Sequence, residues 1–248
     1  MRIKYILLML LLIVLDSEVG IAYTVVDVTD GATIRATVNF LGQAAAPDVY
    51  YMQKNPRVCG KALDAKDGAR FISSVRAPEG HLEDVVVFLD QVDKGKSFPA
   101  NLSQLSTFIS KWCTWEPRVG VFVNGSSIMV TNLDTVVHNP IAYETVGQAR
   151  LNHFNIPLHF QDTLQRTVRL RKGNFLKLEC LQHQFMHSWI FRITNPYFAI
   201  SRSHEVLEID KIPPGNYVLH AWHPSLGIQT RSVTLMANEE REVKFEFY

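Results

Sequence analysis

The chain has 248 residues, 47% of them hydrophobic, with 25 lysines and arginines against 24 aspartates and glutamates. That composition supports one or two globular domains with a sizeable core. A formal charge of +1 leaves no basic footprint for nucleic acid or an anionic membrane surface, and both are excluded as partners.

In chain order, residues 1–22 read as a signal peptide. Arg2 and Lys4 precede an apolar run from Tyr5 to Leu15, and Gly20-Ile21-Ala22 supplies a small-residue ending. The run is shorter than the about 20 apolar residues a membrane span needs. A periplasmic or secreted location follows, with no stable membrane span after cleavage; an uncleaved anchor is the alternative. Residues 23–112 form an N-terminal β segment. Alternation of apolar and polar residues predicts a strand over Ala32 to Phe40, and the run Asp84 to Leu89 fits a strand covered on both faces. One helix is predicted, from Leu102 to Lys111.

Residues 113–195 contain strand patterns at Gly120 to Val123, Ser127 to Thr131, Arg166 to Leu170 and Trp189 to Ile193. Turn signals stand at Asn124-Gly125 and Lys172-Gly173. Residues 196–248 continue with Phe198 to Ile200, Glu205 to Ile209, a turn at Pro213-Pro214-Gly215-Asn216, Val218 to Trp222 and Glu242 to Phe247. The predicted fold is all-β, built as sandwiches. Fifty-odd C-terminal residues are few for a whole sandwich, so residues 24–112 and 196–248 are expected to form one together, with the intervening segment inserted between them.

The chemistry concentrates in Cys180-Leu181-Gln182-His183-Gln184-Phe185-Met186. A thiolate, an imidazole and a thioether within seven residues are most of a blue-copper ligand set, which is completed by a second histidine. His138, at the end of the apolar stretch that leads into Asn139-Pro140, is the candidate. Other histidines read as structural. His187 follows Met186 and points elsewhere as a strand begins; His153 and His159 read as exposed; His220 and His223 fall on opposite faces of a strand, with His223 bonding into the loop that follows. Phe185 is either part of a docking patch or plain loop packing.

His138-Asn139 followed by Cys-x2-His-x2-Met resembles a cupredoxin, and its short spacing is most similar to that of amicyanins. The resemblance covers residues 128–195. It implies a Greek-key sandwich holding one type 1 copper, with His138, Cys180 and His183 as equatorial ligands and Met186 as the weak axial one. It further implies that Asn139 bonds near the Cys180 sulfur and that His183 reaches an apolar surface as the exit for an electron. Residues 196–248, with their proline-glycine turn before a Tyr-led strand, resemble the carboxypeptidase regulatory-like, or transthyretin-like, β-sandwich module.

If Cys180 binds metal, Cys59 and Cys113 remain, and an exported chain would join them as a disulfide; two buried free thiols are the alternative. Four protein ligands leave no open coordination position for substrate, so the protein is not expected to be an enzyme. Glu179 and Leu181 flank Cys180, so the His-Cys-His bridge between coupled copper centres is absent. The expected function is single-electron transfer between transiently docked redox proteins. The alternatives are a copper carrier or storage protein and a non-redox structural β-protein.

Overall fold

A computed structural model describes residues 23–202 and 206–248. The predicted signal peptide lies outside the described residues, as does Glu205. The regular structure of the described chain is almost all strand, in an all-β sandwich fold.

One sandwich packs a five-stranded sheet on a four-stranded one. The first is ordered Val119–Val123, His187–Ile193, Phe175–Cys180, Pro140–Val146 and Ala149–Asn155; the second, Thr163–Thr167, Ser127–Asn132, Thr107–Ser110 and Trp115–Glu116. Both Ser127–Asn132 and Phe175–Cys180 alternate half-buried and buried residues. The period-two pleat therefore sends Ile128, Val130, Leu176, Leu178 and Cys180 into one core with Phe108, Trp115 and Phe122. Each large side chain fully buried there contributes roughly 2 kcal/mol.

The second sandwich joins the two ends of the chain. Ala32–Phe40 runs parallel to Glu240–Phe247 and antiparallel to Leu207–Ile212. Facing them is the sheet Phe198–Ile200, Val86–Asp90, Gly215–His223 and Gly227–Leu235. Ile34, Leu82, Val87, Leu89, Leu219 and Phe245 fill the space between the sheets.

Where the sandwiches meet, Val86, Val119, Val121, Phe191, Ile193 and Trp222 form a separate cluster. The Phe191 ring lies 4.9 Å from Phe88 and 4.7 Å from Trp222. This accounts for the unbroken apolar character of Val119–Val123: one of its faces serves the sandwich core and the other the junction. Gly120 permits that fit, because a Cβ there would lie 2.4 Å from the Leu105 carbonyl oxygen.

The helix expected over Leu102 to Lys111 is replaced by a 3₁₀ turn, Leu102–Ser106, and a strand, Thr107–Ser110. The Ser103 carbonyl accepts the hydroxyls of Ser106 and Thr107, which closes the turn. The alternation of Thr107-Phe108-Ile109-Ser110 then places Phe108 and Ser110 inward, a pattern that suits a strand and not a continued helix.

A small three-stranded sheet of Asp48–Tyr51, Ala69–Ile72 and Ala65–Lys66 packs on the first sandwich. Between its strands runs a single helical turn, Pro56–Cys59. The expected disulfide is formed: Cys59 and Cys113 are bonded across 54 residues of sequence, with their Cα atoms 4.9 Å apart. It pins the helical turn to the loop that leads into Trp115–Glu116.

Candidate metal centre

Local structure brings the ligands together before any long-range contact is considered. Cys180 is the last residue of its strand and shares the core face with Leu176 and Leu178. It pairs with Pro140 in the neighbouring strand, so His138 sits just beyond the sheet end, opposite the loop that leaves Cys180. Two backbone hydrogen bonds with Leu158, at 3.1 and 2.8 Å, fix His138 there. The loop closes on itself: the His183 amide donates to the Cys180 carbonyl, the Met186 amide to that of His183, and the Cys180 amide to that of Met186.

The result gathers His138, Cys180 and His183, all buried, into a group able to hold a metal ion. Their Nδ1 atoms lie 3.1 Å from each other and each 3.8 Å from the Cys180 sulfur. The centre of that triangle is about 2.1 Å from every corner, close to a metal–imidazole or metal–thiolate bond length. Met186 is 1% exposed at the end of the same loop and packs in the same core cluster.

The outer ring nitrogens settle the tautomers. His138 Nε2 lies 2.9 Å from Asp134 Oδ2, and His183 Nε2 lies 3.1 Å from Asn55 Oδ1. A carboxylate and an amide oxygen only accept, so each Nε2 carries a hydrogen and each ring presents Nδ1 to the Cys180 sulfur. Two ring nitrogens and a sulfur converge on one buried point, an arrangement that suits a shared proton or a metal cation. The donor set fits copper: two imidazoles and a thiolate in a triangle, with a thioether on the same loop.

The electrostatics agree. Burial alone would raise the Cys180 thiol, yet hydrogen bonding with His138, His183 and the Asn139 amide outweighs it and brings the pKa down to about 6. Burial likewise works against protonated His138, but Asp134 and the Cys180 sulfur raise its pKa. For Asp134, burial acts upward and is overcome by the hydrogen bond from His138 and by the Cys113 and Trp112 amides, which hold its carboxyl low. A metal held here would displace a proton from a thiol already disposed to lose it and would compete with the proton that Asp134 and the Cys180 sulfur favour on His138.

Asn139 does bond the Cys180 sulfur, through its backbone amide at 3.4 Å, while its side-chain oxygen is buried without a partner. One expectation is corrected: His183 is not at an apolar surface, for it is 2% exposed under Asn55. Of the two readings of Phe185, loop packing is the one found: it is buried against Tyr50, with the Arg70 guanidinium 4.7 Å from its ring centre. The same remote segment causes both, since the small sheet and the Pro56–Cys59 turn cap the loop. Lys54 Nζ bonds Gln182 Oε1 at 2.8 Å, and Arg70 Nη1 bonds the Trp112 and Cys113 carbonyls.

Further groups of potential ligands lie beside the site. Cys59, Cys113 and His183 are mutually close, as are Cys113, Asp134 and His138. Both sulfurs are committed to the disulfide, which therefore rests against the two imidazoles. His187 stands apart from the ligands, in edge contact with Trp189, and burial together with Arg118 and Lys177 lowers its pKa to about 4. His153 is half-buried, 3.8 Å from Glu144, and not exposed as expected; His159 is exposed. In the second sandwich His223 Nδ1 accepts the amides of Ser225 and Leu226, while His220 bonds Thr230.

Sequence reasoning missed Asn55 and Asp134. The Asp134-x3-His138 spacing was a signal available for the second. Nothing local marks Asn55, which meets its histidine across 128 residues.

No protein-family model matches the chain, and no curated protein does. Solved structures similar to part of it include a purple cupredoxin from Nitrosopumilus maritimus, 19% identical, covering 35% of this chain and 98% of that one at a TM-score of 0.30. A variant of amicyanin in its reduced state is 16% identical over 35% of this chain and 80% of its own, also at 0.30. A copper-containing nitrite reductase from Thermus scotoductus is 14% identical over 36% of this chain and 22% of its own, at 0.30.

Proposed function

We propose that this chain is an exported type 1 copper protein that carries single electrons between redox partners and is not an enzyme. The observation that carries the reading is the buried triangle of His138 Nδ1, His183 Nδ1 and Cys180 Sγ, with both Nε2 atoms held by fixed acceptors. His138, Cys180 and His183 would hold the ion and Met186 would complete the set from the same loop. Copper supplies a one-electron Cu(I)/Cu(II) couple when bound.

The remaining work falls to the protein's own groups. Asp134 and Asn55 keep the imidazoles oriented in one tautomer, and the Asn139 amide steadies the sulfur. The three backbone hydrogen bonds within the loop resist rearrangement of the ligands. Phe185 and Trp115 pack with the ligands in one buried core, and the disulfide lies beside the two imidazoles. The Cys59–Cys113 disulfide supports an oxidising compartment, periplasmic or extracellular. The second sandwich is read as a transthyretin-like module that orients the protein on its partner.

A copper carrier would present exposed, exchangeable ligands, whereas all four candidates here are buried. The readings separate on loading the mature protein with Cu(II) and recording its visible spectrum. Intense thiolate charge-transfer colour that disappears in Cys180→Ser supports electron transfer. Tight Cu(I) uptake without a coloured Cu(II) state supports the carrier, and no metal uptake supports a structural protein.

A further inference from the structure

The cap that buries His183 also replaces it at the surface. Asn55 is exposed, yet its side-chain oxygen lies 3.1 Å from His183 Nε2, so one hydrogen bond separates the candidate ligand from solvent. Lys54, Arg57 and Lys61 lie in the same stretch, all exposed, and residues 53–63 contain no carboxylate. Among the described residues none of these three cations has an ion-pair partner; Lys54 instead bonds the neutral Gln182 of the metal loop. Arg57 lies in the short helical turn and Lys61 in the turn that follows it. Asp64, the next acid along the chain, is already bonded to the buried Arg70. Beside Gln182, Leu181 is 54% exposed and offers apolar contact at the edge of the cationic group.

We propose that Lys54, Arg57 and Lys61, which stand near Asn55 in the chain, form the docking surface for the acidic face of a redox partner. The inference rests on the electron-transfer reading. These cations flank in the chain the residue that joins His183 to the surface, where a partner's carboxylates would meet them and bring its own redox centre close. Attraction between opposite charges raises association rates and weakens with salt. One electron passes from the reduced protein to the oxidised partner, with no bond made or broken and no proton moved.

Two experiments keep this inference separate from the function on which it rests. First, the metal-free protein is titrated with hexacyanochromate(III), a paramagnetic anion, while its amide resonances are followed. Broadening concentrated at residues 54–61 and 181–183, absent with hexaamminechromium(III) and reduced in the double variant Arg57→Glu with Lys61→Glu, supports the surface. Broadening centred elsewhere, or unchanged in the variant, overturns it. Second, the copper-loaded reduced protein is oxidised by hexacyanoferrate(III), which becomes hexacyanoferrate(II). The variant should react about tenfold more slowly at low salt, with the difference closing at high salt, and should react faster with the cationic oxidant tris(bipyridine)cobalt(III). Rates unaffected by the charge reversal overturn the proposal. A protein that takes up no redox-active copper fails the electron-transfer reading, and the broadening experiment still decides the surface.

Discussion

The Nδ1 atoms of His138 and His183 stand 3.1 Å apart because each ring is held from behind, His138 by Asp134 and His183 by Asn55. Neither acceptor belongs to the loop that carries the Cys-x2-His-x2-Met pattern. The metal loop is therefore oriented by a neighbouring turn on one side and a distant cap on the other.

Removing the distant acceptor should weaken metal binding without unfolding the protein. Asn55→Ala leaves His183 Nε2 with no protein partner, and an outer-shell loss of this kind costs about 10–100-fold in affinity. Asn55→Asp retains an acceptor and should recover much of the loss. Competition against a copper chelator measures both; equal affinities for the wild type and Asn55→Ala would show that the contact orients nothing.

Asp134 joins three partners, the His138 ring and the Trp112 and Cys113 amides. Asp134→Ala strands buried donors on both the ligand and the disulfide-bearing loop. Hydrogen bonds to charged groups are worth about 1.5–3 kcal/mol each, so stability and copper affinity should fall together. Urea unfolding with and without metal tests this, and a loss confined to the metal-bound state would limit Asp134 to holding His138.

The disulfide fastens the cap. Replacing Cys59 and Cys113 together by Ala should lower stability by about 2–5 kcal/mol, the range for small secreted domains that lose a native disulfide. Hydrogen exchange should quicken first in residues 48–72, which the disulfide ties down, and only later in the sandwich cores. Uniform protection across the cap in the double variant would show that Arg70 and the small sheet suffice to hold it.

Glu144 gives an acid-side signature remote from the metal. Burial acts to raise its pKa, but the amides of Arg171, Gly173 and Lys172 hold it below the ordinary carboxylate value. A carboxyl depressed in the folded state contributes stability that is present above the unfolded pKa and is lost as pH falls through the folded one. Glu144→Gln should therefore be less stable at neutral pH and lose stability less steeply on acidification. Parallel curves for the two proteins in denaturant titrations at pH 7 and pH 3 would contradict this.

The ligand loop was legible because its chemistry is local: Cys180, His183 and Met186 sit within seven residues, and strand alternation alone turns Cys180 inward. His138 was legible from a strand that ends at Asn139-Pro140. The cap was not. Asn55, Arg70 and Tyr50 carry no metal pattern, and they act only once the chain brings them against His183 and Phe185. The same limit explains why a histidine expected at the surface is buried. Period-two patterns identified Ala32–Phe40 and the C-terminal strand as half-buried, but their parallel pairing depends on which distant edges meet. The predicted helix at Leu102 failed because inward packing of Phe108 and Ser110 overrode a weak local preference.

The central claim, a closed one-electron copper site, is tested most directly by spectroelectrochemical titration of the copper-loaded protein. The account predicts one copper per chain and a thiolate charge-transfer band that bleaches and returns reversibly with the transfer of one electron, absent from Cys180→Ser. A protein that binds copper without that band, or whose bound copper leaves on reduction, would contradict it.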